Sequence, residues 1–438
     1  MFGPWTIAIL FGTGLFLTLR LRLVQFRHWR DAIAATRRAA SSGGGVLSPF
    51  QAFTTALAAS IGTGNIAGVA AAIVSGGPGA LFWIWCYGLV AMAIKFAEAV
   101  LGVRYRQLGE GRLSSGPMHY LRDGLGMPRL GWLYALVAGV AALTTTPFTQ
   151  PNSIALVLQS ELGVPTLATG LVVAVLTWLV VIGGVTSIGR AAARLAPAKV
   201  FLYLAGGLLV LVTHADRLPA TLLLVVREAF SLRAAAGSAT GLGIMVAMRY
   251  GLARGIYANE AGYGTAAVAY GTARTERPVQ QGYAAVLEVF VVSFVTSTIS
   301  ALTILVTDVW RSGLTSTAAV AAAFNQAVPT VGGWVVAFCA FMFGYTTLIG
   351  WAYYGEQFLE YVFGPRVTVP YRWLYCGLVV LGATSKVNLV WAWGDLMNGL
   401  QIFPNLVGLL GLSGVAARLL REEEARGASG APAPGAKA

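Results

Sequence analysis

Charge is what this sequence has least of. Charged residues make up 11% of its 438 positions, against about 25% in soluble domains, so water is the wrong solvent for the chain. Acids are the scarcer sign, with 17 Asp and Glu against 30 Lys and Arg. A basic excess raises the question of nucleic acid, but these cations lie between apolar runs and form no single patch, which argues against it. Cysteine is nearly absent. Cys86, Cys339 and Cys376 each sit in an apolar run with no CxxC spacing, which excludes a disulfide scaffold and reads as small buried hydrophobes. His28, His119 and His214 fall in loops or at helix ends, so no metal cluster is expected. There is no HExxH, no GxSxG and no Ser/Lys or paired-Asp motif at membrane depth, so an intramembrane enzyme lacks its machinery. Period-2 alternation is missing too, which excludes a membrane β-barrel.

What is present is hydrophobicity: 57% of residues, with a mean hydropathy of +0.71. Residues 164–189 carry no charge and 279–306 carry only Glu288. Each exceeds the roughly 20 apolar residues that a helix needs to cross a bilayer, and helices are the only spanning element left. About eleven spans are expected, near 2–24, 49–76, 80–104, 130–160, 165–186, 196–214, 238–271, 279–306, 331–362, 370–385 and 388–420. Segments 216–230 and 316–327 are too amphipathic or too short, and read as helices on the outer surface. The first stretch has no basic residue before it and no small-x-small site after it, so it reads as a spanning helix and not a cleaved signal. Every second loop is basic, beginning with Arg20, Arg22, Arg27 and Arg30, whereas the opposite loops hold only Arg217, Arg227, Arg233, Arg311 and Lys386. This asymmetry places the N-terminus outside and the C-terminus in the cytoplasm. Residues 39–45 read as a flexible cytoplasmic linker and 421–438 as a disordered cytoplasmic tail.

Two segments differ in kind from the other spans. Residues 49–79 contain Gly62, Gly64 and Gly68 with Ser60, Thr63 and Asn65 among them. Residues 238–271 contain Gly251, Gly255, Gly262 and Gly264 with Asn259 and Glu260. Two close glycines cost roughly 2 kcal/mol in a helix interior. An unwound turn frees backbone amides and carbonyls, which a membrane tolerates only beside a cavity. Gly62 lies about 20 Å into its segment at 1.5 Å per residue, near the bilayer middle. Taking 49–214 as one set of five spans and 238–420 as another, joined by an extracellular connection at 215–237 and preceded by the N-terminal helix and linker of 1–48, the interrupted helix comes first in each. Five is odd, so the two sets are inverted. That pattern points to an inverted-repeat transporter with its site at the breaks. Close helix packing is the competing explanation for the glycines, and explains the polar residues less well.

The run FQAFTTALAASIGTGNIAGVAAAIVSGGPGALFWIW (50–85) resembles the signature of the alanine/glycine:cation symporter family. Further blocks agree in order: KFAEAVLGVRYR (95–106), GPMHYL (116–121), GLARGIYANEAGYGTA (251–266), TTLIGWAYYGEQFLEY (346–361) and DLMNGLQIFPNLVGLLGLSGV (395–415). The likeness covers nearly the whole chain. It implies the leucine-transporter type of fold, an all-α protein of two inverted repeats of five helices with one extra helix in front. It implies a monomeric symporter that imports alanine or glycine with Na⁺ by alternating access through the inner membrane, with no organic cofactor and no nucleic-acid partner. The implied substrate residues are Gly62, Thr63, Gly64, Asn65, Gln150 and Trp351, the last as a wall that limits the side chain. The implied sodium ligands are the carbonyls of Ala58 and Ile61 with the hydroxyls of Thr346 and Thr347. Asn259, Glu260, Gly262 and Lys199 are secondary candidates. Where the family has Gly-Asn before the glutamine, this chain has Thr146-Pro147, and Pro147 and Pro151 are expected to kink the helix and shift the Gln150 amide.

Other residues remain open between roles. In some proton-coupled relatives of this fold a lysine near Lys199 replaces the ion, which gives proton coupling as the alternative function. Its competing role is a snorkelling anchor at the inner end of a span. Lys95 and Glu98 lie three apart and read as an ion pair with each other. For Glu288 and Glu356 two roles stand, pairing with Arg249 or Arg254 or helping a cation path, and Asp395 and Asn398 are expected to belong to a network at the outer half of the last helix. A channel is the other class considered. It would not concentrate a substrate.

Overall fold

The computed structural model describes residues 4–37, 44–109, 112–231 and 243–428. Helices dominate. Among the described residues, five are long and apolar enough to cross a membrane: Ala80–Arg104, Pro128–Leu162, Gly184–Thr213, Pro278–Val306 and Val331–Phe363. Two bent pairs pass the same test together, and Trp5–Arg20 and Thr166–Val181 are shorter apolar helices. The outward faces of several helices are apolar: Leu171, Val172, Val175 and Leu179 are all exposed on Thr166–Val181. The interior holds Lys95, Glu98, Lys199, Glu260 and Glu288. That is the reverse of a water-soluble protein and suits a lipid surround.

The first glycine-rich segment starts on a capping box. Ser48 accepts from the Gln51 amide, Gln51 returns the bond, and Pro49 takes the first helical position, where its missing N–H costs nothing. Helix Pro49–Ser60 then stops. Gly62 is extended, Thr63–Asn65 form one 3₁₀ turn, and Ala67–Gly76 continues at 56° to the first half. The second segment breaks likewise. Gly243–Asn259 ends, Glu260, Gly262 and Gly264 take positive φ of 57°, 97° and 84°, and Thr265–Gly271 resumes. The first residues of the span expected at 238–271, 238–242, lie outside the described residues.

A latch ties the two broken helices at one end. Leu47, just before the first, pairs in parallel with Ala273, just after the second, through Val46 N–H to Thr272 O at 2.8 Å and Arg274 N–H to Leu47 O at 2.7 Å. The Arg106 guanidinium spans the joint, donating to the carbonyls of Gly271 (3.0 Å), Thr275 (2.7 Å), Ala273 and Gly44. A planar fork of five donors suits four carbonyls in a way that an ammonium cannot.

Several expectations need correction. The span expected at 196–214 begins twelve residues earlier, as one helix Gly184–Thr213 that runs through Pro197. Arg190 and Arg194 are exposed, but Ala192, Ala196, Lys199, Tyr203, Gly207 and Val210 form its buried stripe. Lys199 is 1% exposed and is no snorkelling anchor. The span expected at 388–420 ends at Gly411, and a second helix, Ser413–Ala428, turns away at 55°. Residues 421–428 are therefore helical where a disordered tail is expected. His28 and Arg27 hold Glu424 at 2.9 and 3.2 Å, and these pairs give that helix a surface to lie on. The linker expected at 39–45 falls largely outside the described residues.

Arg106→Ala leaves four carbonyls without their shared donor. It should lower stability by about 2 kcal/mol, read as a fall in the thermal midpoint of detergent-purified protein, with Arg106→Lys falling between it and the parent chain. An unchanged midpoint would show that the latch holds without the guanidinium.

Candidate functional site

The two breaks face each other across a small cavity of about 10 Å³, room for about one water. Its walls are Ala59, Ser60, Gly62 and Gly64 of the first break, Tyr257, Glu260 and Tyr263 of the second, Thr146 and Gln150, Thr347 and Trp351, and Asn398. No basic side chain lines it.

Gln150 is positioned by the first break. Its Oε1 accepts from the Thr63 N–H at 3.0 Å and the Thr63 hydroxyl at 2.9 Å. An N–H can only donate, so this oxygen assignment is forced, and the Nε2 end is left for a ligand. Pro147 and Pro151 do not remove the amide from the site. Pro147 takes the first helical turn of Thr146–Leu162, after a break at Thr145, where proline is accommodated. Gly62 must be glycine here: a Cβ would lie 2.6 Å from Thr347 Oγ1 and 3.0 Å from Gln150 Oε1. Trp351 closes the opposite wall, its indole N–H donating to Glu260 Oε1 at 2.7 Å.

Not every residue expected at the substrate reaches the cavity. Gly62, Gly64, Gln150, Trp351 and Glu260 line it; Thr63 works from behind through Gln150. Asn65 is fully buried and reaches Ser297 Oγ at 3.4 Å, with its Oδ1 unpartnered. Asn259 and Gly262 hold the second break together. The Asn259 side chain accepts from Ala261 N–H at 3.0 Å and donates to Ser293, and Gly262 N–H goes to Glu98 at 2.9 Å. Tyr257, Tyr263 and Thr146 line the cavity without having been expected there, and so does Asn398, which was expected in a network with Asp395; a polar or aromatic residue one turn from a break was the available signal. Asn398 thus parts from Asp395, which pairs with Arg254 at 2.6 Å.

The residues assigned to sodium do gather, but around a side chain. Lys199 Nζ donates to Ala58 O at 3.1 Å, to Ile61 O and to Thr346 Oγ1. Thr347 instead donates to Ala58 O at 3.2 Å and Ala59 O at 2.8 Å, while also lining the cavity. The ammonium therefore takes three of the four oxygens assigned to the ion, and sodium fits this arrangement only if Lys199 withdraws.

The intramembrane charges pair otherwise than expected. Lys95 bonds Glu288 at 2.6 Å, Asn259 O at 2.6 Å and Ser60 Oγ at 3.0 Å. It therefore sits at the carbonyl ends of both first half-helices, where the helix dipole favours a cation. Glu98 does not pair with it. One Glu98 oxygen accepts from Gly262 N–H, Gly264 N–H at 3.1 Å and Asn405 Nδ2 at 2.7 Å, at the amide end where a half-helix favours an anion. Glu356 pairs with Arg372 at 2.7 Å, not with Arg249 or Arg254. Among the described residues there is no group of His, Cys, Asp and Glu able to hold a metal.

Gln150→Leu keeps the volume but strands the buried Thr63 N–H, at a cost of about 1–3 kcal/mol. A lowered thermal midpoint is expected, with Thr63→Val losing less. Equal stability of Gln150→Leu and the parent would mean the break does not depend on this bond.

The profile of the sodium:alanine symporter family matches residues 1–434. The sodium/alanine symporter AgcS of Methanococcus maripaludis is 38% identical over 426 residues, covering 95% of this chain and 93% of that one. A probable sodium/glutamine symporter, GlnT of Bacillus subtilis, is 33% identical over 422 residues, covering 95% and 87%. A putative sodium/proton-dependent alanine carrier of the same organism, YrbD, is 32% identical over 439 residues, covering 95% and 89%. Among solved structures, a manganese transporter mutant of Eremococcus coleocola superposes with a TM-score of 0.56 at 14% identity, over 88% of this chain and 81% of that one. A substrate-bound, outward-open Na⁺-coupled sialic acid symporter gives 0.52 at 12%, over 99% and 100%. Those structural likenesses establish the fold, and the sequence match establishes the descent: this chain is a multi-pass membrane protein of the sodium:alanine symporter family.

Proposed function

We propose that the protein is a secondary symporter that moves small neutral amino acids, alanine or glycine, inward through the plasma membrane with Na⁺, its N-terminus outside and its C-terminus in the cytoplasm. The family is one of transporters, not enzymes. The observation that carries the reading is the small cavity between two interrupted helices. A zwitterion needs donors for its carboxylate and acceptors for its ammonium, and a broken helix exposes both. Gly62, Gly64 and the free Nε2 of Gln150 serve the carboxylate end. Trp351, Tyr257 and Tyr263 leave room for little beyond a methyl group. Asn65 orders the first break from behind through Ser297. Alternating access follows if the latched inner halves move against the rest.

Sodium as the coupling ion rests on the family and on the names that its members carry. A second reading is favoured by one observation, that Lys199 occupies the oxygens assigned to the ion. There the lysine alternates between charged and neutral forms, and a proton replaces sodium in the cycle.

Uptake of labelled alanine into proteoliposomes, with Na⁺ and H⁺ gradients imposed separately, tests both. A Na⁺ gradient alone should drive accumulation, other amino acids should compete in order of decreasing size match, and Asn65→Ala should abolish uptake while the protein stays monodisperse. Thr346→Ala with Thr347→Ala should raise the Na⁺ concentration required. Uptake that follows the pH gradient, ignores Na⁺ and is lost in Lys199→Met would transfer the coupling to the lysine. No accumulation under either gradient would end the symporter reading.

A further inference from the structure

Among the described residues, two of the four buried acids of the interior are paired with cations, Glu288 with Lys95 and Glu356 with Arg372, and the half-buried Asp395 has Arg254. Glu98 has no cation but lies off the cavity, with three N–H donors on one oxygen. Glu260 differs from all of these. It is 4% exposed, lines the cavity, and among the described residues makes no ion pair. Its only hydrogen-bond donors are neutral: the Trp351 indole at 2.7 Å on Oε1 and the Thr265 hydroxyl at 2.8 Å on Oε2. Each carboxylate oxygen has two lone pairs, so each keeps one free.

The position is also expensive in a second way. Glu260 holds φ at 57°, a left-handed conformation in which a non-glycine residue is uncommon, between a helix that ends at Asn259 and one that starts at Thr265. Backbone strain of this kind concentrates where a side chain must be aimed at a ligand. Trp351 and Thr265, one on each oxygen, then fix the plane of the carboxylate.

Lys95 acts on Glu260 through space, but its hydrogen bonds go to Glu288, Ser60 and Asn259, so no cation contacts the carboxylate, and a charge left so at membrane depth is costly. A contacting positive charge is left for the occupant of the chamber to bring. Resting on the amino-acid reading above, we propose that Glu260 is the counter-ion of the substrate's α-ammonium and the residue that sets the requirement for an amine. The opposite wall, with Gln150 Nε2 and the first break, then takes the substrate carboxylate. The chamber accepts small α-amino acids and rejects molecules of the same size whose nitrogen is missing or acylated, because these leave the carboxylate uncompensated.

Competition binding on the purified full chain in nanodiscs tests this. Labelled alanine is displaced by unlabelled alanine, lactate or N-acetylalanine, in the parent chain and in Glu260→Gln and Glu260→Asp. In the parent, alanine should outcompete lactate by about 100-fold. In Glu260→Gln alanine affinity should fall by about that factor and lactate affinity change little, so the preference collapses, with partial recovery in Glu260→Asp. An equal loss of both ligands would make Glu260 a purely structural residue and overturn the proposal. A shifted Na⁺ or proton requirement with the alanine-to-lactate ratio intact would overturn it as well, placing the coupling cation at this carboxylate. If Glu260→Gln does not fold, the parent still decides: lactate binding as well as alanine rejects the proposal. A folded parent that binds no amino acid at all defeats the symporter reading itself, a result distinct from every outcome above.

Discussion

Hydrocarbon donates and accepts no hydrogen bonds, and nearly everything distinctive in this protein answers that constraint. Breaking a helix at bilayer depth releases amides and carbonyls that water would ordinarily satisfy. Here side chains on neighbouring helices do it. Glu98 and Asn405 take the amide and carbonyl of Gly262, Lys95 takes the carbonyl of Asn259, Lys199 takes those of Ala58 and Ile61, and Gln150 takes the amide of Thr63. Cations serve the carbonyl ends and a carboxylate serves an amide end, in the sense that the half-helix dipoles favour.

The same accounting separates structure from function within the interior. Groups that meet a complementary partner from the protein hold the breaks open. Two groups short of a partner belong to residues that line the chamber: the Nε2 of Gln150, and the free lone pairs of a carboxylate that has an indole and a hydroxyl beside it. On the proposed reading, the ligand that completes both ends is a zwitterion whose size two tyrosines and a tryptophan limit. Lys199 belongs to the first group by geometry, although its three oxygens are the kind of set a small cation would take. Whether it yields those oxygens determines what the transport cycle exchanges.

Much of this was legible in the residues and some was not. The two breaks were readable at Gly62-Thr63-Gly64 and at Gly262-Tyr263-Gly264, because a glycine pair beside Asn or Glu has a local cost that no packing partner is needed to see. Partners of the charges were not. Lys95 and Glu98 sit three apart on one helix, yet each reaches a different element, Glu288 in one case and the loop at 262–264 in the other. Spacing along a helix gives the face and says nothing about what stands opposite. Lys199 stayed open between two roles for a related reason. Its neighbours Arg190 and Arg194 look like the inner edge of a span, and only the stripe Ala192, Ala196, Lys199, Tyr203 and Gly207, at intervals of three and four, reveals which way it points.

Composition and periodicity alone commit this chain to a helical membrane protein with two weak points, since the cost of charge in lipid and of glycine in a helix are properties of single residues and short windows. They say also that polar groups at those points need a cavity. Packing chose the rest: that Gln150 braces the first break, that an ammonium stands where a metal cation was expected, and that Glu260, the acid lining the chamber, makes no ion pair among the described residues. Those are relations between helices far apart along the chain, and the energy of a buried charge depends on which other charge tertiary folding brings to within a few ångströms.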